Sequence, residues 1–165
     1  MLEDLGTDAV TIEHSGLACM RCQPTVTFNT KHQQRIIEHN GAHLLFDHSI
    51  DRSMEPCGLC LCPVPLCKIY LRKSKGHTGN ITIDMRRSSC PNLVKFSIAI
   101  AAESSDASPC TNHPFRCPNC PDLSPAVWSY TFREHLTQFH PTASLEDNQA
   151  IWAVSGLEEE RVKKI

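Results

Sequence analysis

The chain has 165 residues, among them ten cysteines and nine histidines, and its formal net charge is −2 at pH 7. Only 6% of the residues are aromatic and the mean hydropathy is −0.27, which disfavours one large apolar core and favours small units that metal ions stabilise. The slightly acidic balance argues against a strong nonspecific affinity for the phosphates of nucleic acids.

Residues 1–18 carry four acidic side chains and no lysine or arginine. We predict a mobile acidic leader here, because the segment has little hydrophobic periodicity. It shows no export signal, and no apolar run in the chain approaches membrane-spanning length. These features favour a reducing compartment, in which paired cysteines bind zinc more often than they form disulfides.

Residues 19–45 have the spacing of a zinc site with mixed sulfur and nitrogen ligands. Two cysteines with two residues between them are followed by sixteen residues and then by two histidines with three residues between them. The predicted ligands are Cys19, Cys22, His39 and His43. Alternation at 25–28 predicts a short strand, and 31–45 has helical character that places both histidines on one face. The alternative is a histidine-rich surface helix beside a free pair of cysteines.

Residues 46–116 contain six further cysteines, and a pair separated by two residues predicts a third metal site among them. The predicted ligands of this site are Cys57, Cys60, Cys90 and Cys110. The last two are chosen because they flank a predicted central strand at 93–102. Cys67 is the competing ligand, or else a small buried hydrophobic residue. The alternative for the whole set is a group of buried thiols without a metal.

The same segment predicts a small antiparallel sheet. Its strand-like stretches are 67–72, 80–85 and 93–102. A loop at 73–79 joins the first two stretches as a hairpin. We expect a metal ion to hold this sheet, because so few short strands bury little apolar surface.

The sheet segment is also basic, with seven cations against the single Asp84 between residues 67 and 95. The cations are Lys68, Arg72, Lys73, Lys75, Arg86, Arg87 and Lys95. They can neutralise the phosphates of a nucleic acid, with Tyr70 and Phe96 available to stack on bases. The alternative is a solvated sheet face that keeps a small domain soluble.

Residues 117–143 repeat the metal-site pattern: two cysteines with two residues between them, then fourteen residues, then two histidines with four residues between them. The predicted ligands are Cys117, Cys120, His135 and His140. Ser124 and Pro125 predict the start of a helix that places Trp128 and Phe132 in a small core. Buried cysteines and unrelated surface histidines are the alternative. The gap of 73 residues between the two patterns excludes fingers that follow DNA in consecutive three-base steps.

Residues 144–165 predict an amphipathic helix with Ser144 as its N-cap. We expect Gly156 to bend or divide this helix. We expect Trp152 to pack on the preceding metal site, and the alternative is a partner site formed by Trp152 and Leu157.

Short motifs occur in a recognisable order: CxRC, RIIEHxGAHLLFD, EPCGLC, CPN, SPCxN, RCPxCP with PAVW, and HPTASL with IWxxS. This order resembles a group of uncharacterised zinc-finger proteins found in many copies in mushroom-forming fungi. The resemblance covers nearly the whole chain from Cys19 onward, and it implies a shared three-part architecture without an established activity. The two patterns at 19–45 and 117–143 also resemble the wider CCHH zinc-finger class, whose members most often bind nucleic acid.

These patterns together predict a small, zinc-stabilised α+β fold. Two non-tandem, ββα-like CCHH fingers flank a small antiparallel β module, and a helix follows at the C-terminus. Two zinc ions are expected, and a third if the middle site forms. We predict no enzyme activity, because four protein ligands can close each site and no catalytic motif is present.

The first functional hypothesis is a nuclear module that binds nucleic acid, DNA in the first place, and regulates transcription. In the CCHH class the base-reading side chains lie one, four and about seven residues before the first histidine ligand. These positions are Glu38, Arg35 and His32 here. The alternative is a zinc-stabilised protein-interaction scaffold that docks through the C-terminal helix. We expect neither a membrane nor a small-molecule substrate as partner.

Overall fold

A computed structural model describes residues 17–19, 21–29, 31–64, 66–73 and 80–165. In this part of the chain, five α-helices and three two-stranded antiparallel sheets form a small α+β protein. This agrees with the predicted fold class. None of the described helices is long and apolar enough to cross a membrane.

The N-terminal finger is a ββα unit. Strands β1 (Ala18–Cys19) and β2 (Val26–Thr27) form an antiparallel hairpin, and helix α1 (Gln33–Phe46) follows them. Leu17 is buried beside this hairpin, and its carbonyl accepts a hydrogen bond of 2.8 Å from the amide of Phe28. The last two residues of the predicted leader therefore belong to the finger. Its other residues lie outside the part of the chain that the structure describes.

The middle segment contains the predicted hairpin with shorter strands. A 3-10 turn at Arg52–Met54 comes first, and then strands β3 (Leu71–Lys73) and β4 (Ile81–Ile83) pair antiparallel. The residues between these strands, 74–79, are not among the described ones. The hairpin therefore forms from the first two of the three predicted strand-like stretches.

The third predicted strand, at 93–102, is wrong. Its first half forms no strand, and its second half contains the short helix α2 (Ile98–Ala101). The side-chain oxygen of Ser97 accepts a hydrogen bond from the amide of Ile100 and caps this helix. This capped helix starts inside the stretch whose alternating residues predicted a strand.

The C-terminal finger is a second ββα unit. Strands β5 (Pro114–Phe115) and β6 (Val127–Trp128) pair antiparallel. A 3-10 turn at Ser129–Thr131 leads into helix α3 (Phe132–Phe139). Strand β5 precedes the cysteine pair, so the finger begins earlier in the chain than its ligand pattern predicts.

The helix start predicted at 124–125 is wrong, because these residues form no helix and lead into strand β6. The amide of Ala126 donates to the carbonyl of Ile69 at 2.6 Å, and Val127 lies opposite Phe115. These partners lie outside the ligand pattern. Backbone pairing to other segments therefore outweighs the local capping signal.

The C-terminal segment forms two helices, α4 (Leu145–Trp152) and α5 (Gly156–Lys163), where one divided or bent helix was predicted. Ser144 caps α4 as expected, and Ser155 caps α5 in the same way. The ring of Trp152 packs on that of Phe132 in the C-terminal finger, with 6.1 Å between centroids. The packing expected for Trp152 is therefore confirmed.

One hydrophobic core is shared by the N-terminal finger, the middle segment and α5. Its fully buried members include Ile36 and Ile37 of α1, Leu59, and Val162 of α5. A smaller core around Phe132 lies in the C-terminal finger. Because α1 packs against α5 and α3 packs against α4, both finger helices are covered on one side by other helices.

Candidate metal centres

The first candidate centre lies between the turn after β1 and helix α1. It brings together the four predicted ligands Cys19, Cys22, His39 and His43. The Sγ of Cys19 is 3.3 Å from Nε2 of His43, and the Sγ of Cys22 is 3.4 Å from Nε2 of each histidine. The histidines lie about one helical turn apart, so both rings reach the same point.

The surroundings of the two histidines favour imidazoles that can bind a metal, whereas burial raises the pKa of the Cys22 thiol. Burial, and then the neighbouring His43, lower the pKa of His39 and keep its imidazole neutral. The Nδ1 of His43 lies 3.3 Å from Oδ2 of Asp47. A hydrogen bond from the Ser49 hydroxyl is the main cause that lowers the pKa of Asp47 to about 2. A carboxylate at this place orients the imidazole and keeps the ring proton on Nδ1.

The second candidate centre consists of four cysteines of the middle segment. They are Cys57, Cys60, Cys67 and Cys90. The Sγ atoms of Cys57 and Cys90 are 3.8 Å apart. Burial raises the pKa of Cys57, whereas hydrogen bonds from the other thiols, that of Cys57 first, lower the pKa of Cys60. A bound cation would favour the thiolate form of all four cysteines.

Cys67 takes the place in this cluster that was predicted for Cys110. The prediction depended on a strand at 93–102, which does not form. Cys110 lies instead in the main core with 0% exposure, and its Sγ is 3.8 Å from the carbonyl of Ile37. Burial raises the pKa of Cys110 to about 12, so it remains a neutral thiol.

The third candidate centre joins the cysteine pair of the C-terminal finger to α3. It brings together the predicted ligands Cys117, Cys120, His135 and His140. The Sγ of Cys120 is 3.3 Å from Nε2 of His135 and 3.2 Å from Nε2 of His140. Helix α3 ends at Phe139, and His140 has a non-helical backbone with φ −134° and ψ 59°. Because the helix ends before His140, the imidazole of His140 reaches the same cluster as that of His135, five positions earlier. Burial raises the pKa of Cys120 to about 11.

All three groups have the dimensions of a tetrahedral metal site. Within each group the ligand atoms lie within 4.8 Å of one another. Zinc with Zn–S bonds of about 2.3 Å and Zn–N bonds of about 2.1 Å needs S···S edges of about 3.8 Å and S···N edges of about 3.6 Å. The S···S distance of 3.8 Å and the S···N distances of 3.2 to 3.4 Å are close to these values. Each group can therefore hold zinc or another metal, and all ten cysteines are free thiols.

Two carboxylates beside the histidine ligands were not predicted from the sequence. Asp47 contacts His43, and Glu55 accepts a hydrogen bond from Nδ1 of His135. Asp47 follows His43 by four residues, and this helical spacing was an available signal. Glu55 lies 80 residues from His135, so no local pattern could identify it.

The predicted base-reading positions of the N-terminal finger are only partly accessible. His32 and Arg35 are exposed. Glu38 is 1% exposed and pairs with Arg35 at 3.1 Å. Helix α1 packs on the main core and on α5, and Glu38 lies on a covered side. Glu38 is therefore not free to contact a base edge, contrary to the expectation.

One side of the β3–β4 hairpin, which we call the basic face, carries Lys68, Tyr70, Arg72 and Arg87. Side chains alternate along the chain into β3, so Ile69 and Leu71 are buried whereas the basic face points outward. The guanidinium carbon of Arg87 lies 4.3 Å from the ring centroid of Tyr70. Arg87 and Tyr70 of the basic face are therefore in direct contact.

The other predicted phosphate contacts surround this face. Lys73, Arg86 and Lys95 are exposed, and Lys75 is outside the described residues. The ion pairs found among the described residues involve none of the lysines and arginines of the hairpin segment. The two rings predicted to stack on bases already have partners, because Tyr70 contacts Arg87 and Phe96 stacks on a tryptophan.

Comparisons of the chain with protein-family models, with curated proteins and with solved structures found no match. The clusters of the two fingers are compatible with CCHH zinc sites. The resemblance to the fungal group stays a prediction.

Proposed function

We propose that the chain is a zinc-binding nuclear module that binds nucleic acid, DNA in the first place, and takes part in transcription regulation. Three zinc ions stabilise the fold, and the basic face contacts phosphates. The observation that carries the proposal is the set of hairpin cations without a carboxylate partner among the described residues.

The positive charge of the hairpin is available to a ligand. Its one acidic residue, Asp84, accepts hydrogen bonds through Oδ1 from the amides of Arg86 and Arg87 at 3.1 and 3.2 Å. That carboxylate therefore stabilises the turn through backbone hydrogen bonds and forms no ion pair with a neighbouring cation among the described residues. The contact of Arg87 with Tyr70 restrains its guanidinium, which can meet a phosphate with two parallel N–H groups. A local positive potential of this kind persists in a chain with a net charge of −2.

The geometry supports contact with the phosphate backbone more than with bases. Glu38 is buried, and the rings of Tyr70 and Phe96 already have partners. Phosphate contacts give an affinity that depends strongly on salt and weakly on sequence.

The ligand sets support a structural role for zinc and no enzyme activity. Each centre offers four protein ligands, which is the full set of a tetrahedral structural site. A catalytic zinc site keeps one position for water or substrate.

Fluorescence anisotropy with a short DNA duplex and a single strand, at several salt concentrations, tests the proposal. We expect Arg72→Gln with Arg87→Gln to weaken binding and to reduce the slope of log K against log salt by about 2 on the duplex. Arg133→Gln is the control, because Arg133 is exposed on α3 and is not one of the residues of the basic face. Absent binding, or binding that salt does not weaken, would contradict the proposal.

A cleft of about 670 Å³ favours a second candidate function, a protein-interaction scaffold. It lies between β4 and the extended residues before α2, and its walls include Ile81, Phe96, Ile98 and Lys95. Ile81 is 49% exposed, which leaves apolar surface for a partner. The proposed occupant is an extended acidic peptide, because the cleft combines apolar side chains with a lysine.

The backbone of β4 supports this occupant. The amide of Asp84 donates to the carbonyl of Tyr70 at 2.7 Å, which fixes the alternation of the antiparallel pair. The N–H and C=O groups of Ile81 and Ile83 then point away from β3, toward an edge that no described strand covers. A peptide strand can bind to such an edge.

Selection of a random-peptide display library on the metal-loaded protein tests this second candidate. We expect enrichment of acidic peptides with alternating apolar residues, and loss of that enrichment in Lys95→Glu. Arg133→Glu, with the same charge change elsewhere, should keep it. Enrichment that is unchanged by Lys95→Glu, or no enrichment, would count against the scaffold.

A further inference from the structure

We propose that Glu55 couples the middle metal centre to the centre of the C-terminal finger, so that each binds its metal more tightly when the other is loaded. The proposal rests on the metal-binding part of the proposed function and does not require nucleic acid. Glu55 is a positioning residue, because it contacts the ligand His135 and is not itself a ligand.

Glu55 holds the imidazole of His135 in the orientation that a metal needs. The Nδ1 of His135 donates to Oε1 of Glu55, while Nε2 faces the Sγ of Cys120 at 3.3 Å. The side chains of His135 and Glu55 are 6% and 18% exposed, so water competes little for this hydrogen bond. A carboxylate on Nδ1 fixes the tautomer whose Nε2 is unprotonated, and it makes Nε2 a stronger metal ligand.

The position of Glu55 depends on the middle centre, because Glu55 lies two residues before the ligand Cys57. Its backbone has a φ of 53°, a left-handed conformation that is unfavourable for a residue with a side chain and must be held by its surroundings. The turn that follows is closed by hydrogen bonds from Cys57 to Cys62 at 2.9 Å and from Leu61 to Cys57 at 2.8 Å. Cys57 is immobilised once it binds a metal, and Glu55 is restrained with it.

The 3-10 turn that precedes Glu55, at Arg52–Met54, contacts the C-terminal finger at a second point. The Nε of Arg52 is 3.2 Å from Oε1 of Glu134, the residue before His135. The guanidinium of Arg52 also donates to the carbonyl of Tyr130, just ahead of α3. Arg52 and Glu55 therefore contact two successive residues of α3, Glu134 and His135. When the middle segment is rigid, these contacts restrain the position of His135.

The N-terminal finger offers an internal comparison. Its equivalent carboxylate, Asp47, follows α1 directly and contacts His43 four residues earlier. This pair belongs to one local segment and involves no residue of the middle centre. Asn40 of α1 does donate to the carbonyl of Gly58 at 3.1 Å, but among the described residues no side chain of the middle segment after Asp47 contacts a ligand of the N-terminal centre in this way. Loss of the middle metal should therefore weaken the N-terminal centre less than the C-terminal one.

The expected size of the coupling follows from the effect of such carboxylates. Loss of a hydrogen-bond partner of a ligating histidine typically weakens metal binding by about 10- to 100-fold. We expect this loss at the C-terminal centre for Glu55→Ala, and a smaller one for Glu55→Gln, which keeps the acceptor oxygen but removes the charge. Cys90→Ser, which disables the middle centre, should weaken the C-terminal centre by about tenfold, and linkage requires the reverse effect to be equal.

The test titrates the full chain with zinc against a competing chelator, while NMR signals of the imidazole rings report the occupancy of each finger. The Glu55 variants should weaken the centre of His135 and shift its Nδ1 proton signal, and they should leave the centre of His43 unchanged. Asp47→Ala and Asp47→Asn are the matched controls. They should weaken the centre of His43 and leave the centre of His135 unchanged. A Glu55→Ala protein with an unchanged zinc affinity at His135 would overturn the proposal.

A double variant separates coupling from a general loss of folding. Cys90→Ser should add little to Glu55→Ala, because Glu55 makes the contact with the ligand His135 and Arg52 contacts only its neighbours. The proposal is overturned if the losses of zinc affinity caused by the two single variants multiply in the double variant. It is also overturned if Cys90→Ser weakens zinc binding equally in both fingers.

If Cys90→Ser does not fold, the reciprocal measurement decides. His140→Ala must then weaken zinc binding at the middle centre, which is measured by the rate at which the middle thiols are alkylated. A middle centre with unchanged zinc affinity overturns the coupling.

Failure of the proposed function has a different signature. Absent nucleic-acid binding leaves all these zinc affinities as they are. Absent zinc binding at all three centres contradicts the metal-binding part of the proposed function, and the coupling with it.

Discussion

Cys67 and Cys110 are both buried cysteines of the middle segment, with exposed fractions of 2% and 0%. Cys67 lies among three other thiols, whereas Cys110 lies against α1 at Gly41. A Cβ atom at Gly41 would be 2.7 Å from the Sγ of Cys110, so this thiol fills space that only a glycine leaves open. The surroundings of Cys67 suit a metal ligand, and those of Cys110 suit a small hydrophobic residue.

Metal content should therefore distinguish these two cysteines. We expect Cys67→Ala to remove one metal ion per chain, because the middle centre keeps only three ligands. Cys110→Ala should keep every metal ion and lower the free energy of unfolding by about 1 kcal/mol through lost packing. Elemental analysis of the purified variants measures the first effect, and urea denaturation measures the second.

Cys90→Ala is the positive control and should match Cys67→Ala in metal content. Loss of a metal ion from Cys110→Ala, or full metal content in Cys67→Ala, would show that the middle centre has other ligands.

At the scale of elements, α5 is held in place by a buried carboxylate. Glu158 is 4% exposed, and its Oε1 accepts hydrogen bonds from the amide and hydroxyl of Thr111 at 2.8 and 2.5 Å. It also accepts one from the hydroxyl of Tyr130 at 2.6 Å. On the same helix Val162 is fully buried in the main core. These contacts attach α5 to the segment ahead of β5.

Removal of this carboxylate should detach α5. We expect Glu158→Ala to lower the free energy of unfolding by about 2 to 4 kcal/mol, because it leaves one buried donor and two partly buried donors without their acceptor. Urea denaturation of the metal-loaded protein measures this change. Limited trypsin digestion should cut α5 faster in the variant.

The neighbouring Glu159 provides the control. It is exposed, and Glu159→Ala should change stability by no more than about 0.5 kcal/mol. Equal effects of the two substitutions would contradict the attachment of α5 through Glu158.

At the scale of the whole molecule, three candidate metal centres lie in and around a small core. Exhaustive chelation should abolish the near-UV circular dichroism and the dispersed NMR spectrum. The physical reason is that clustered thiolates repel one another and that metal-binding free energy contributes directly to folding in small metal-bound domains. Zinc added back should restore the signals, whereas Mg²⁺, which prefers oxygen ligands, should not.

Two results would contradict this expectation. One is a chain that stays fully structured after chelation. The other is a purified protein whose cysteines are joined in disulfides.

The sequence predicted both sets of cysteine and histidine ligands because each set lies in one short stretch. A tight turn places two cysteines together, and one helix or its end presents two histidines, so local backbone geometry is enough. The β3–β4 hairpin was predictable for the same reason. The helix start at 124–125 was not, because the carbonyl of Ile69 and strand β5 pair with the residues that follow.

The sequence by itself determined the small α+β class and the candidate metal ligands of the two fingers. Only the tertiary structure decided that Cys67 completes the middle cluster, that Glu38 is buried, and that Glu55 meets His135. These three outcomes depend on how segments distant in the chain pack together. Packing decides which polar atoms lose water and which partners replace it, and no local pattern of residues encodes that choice.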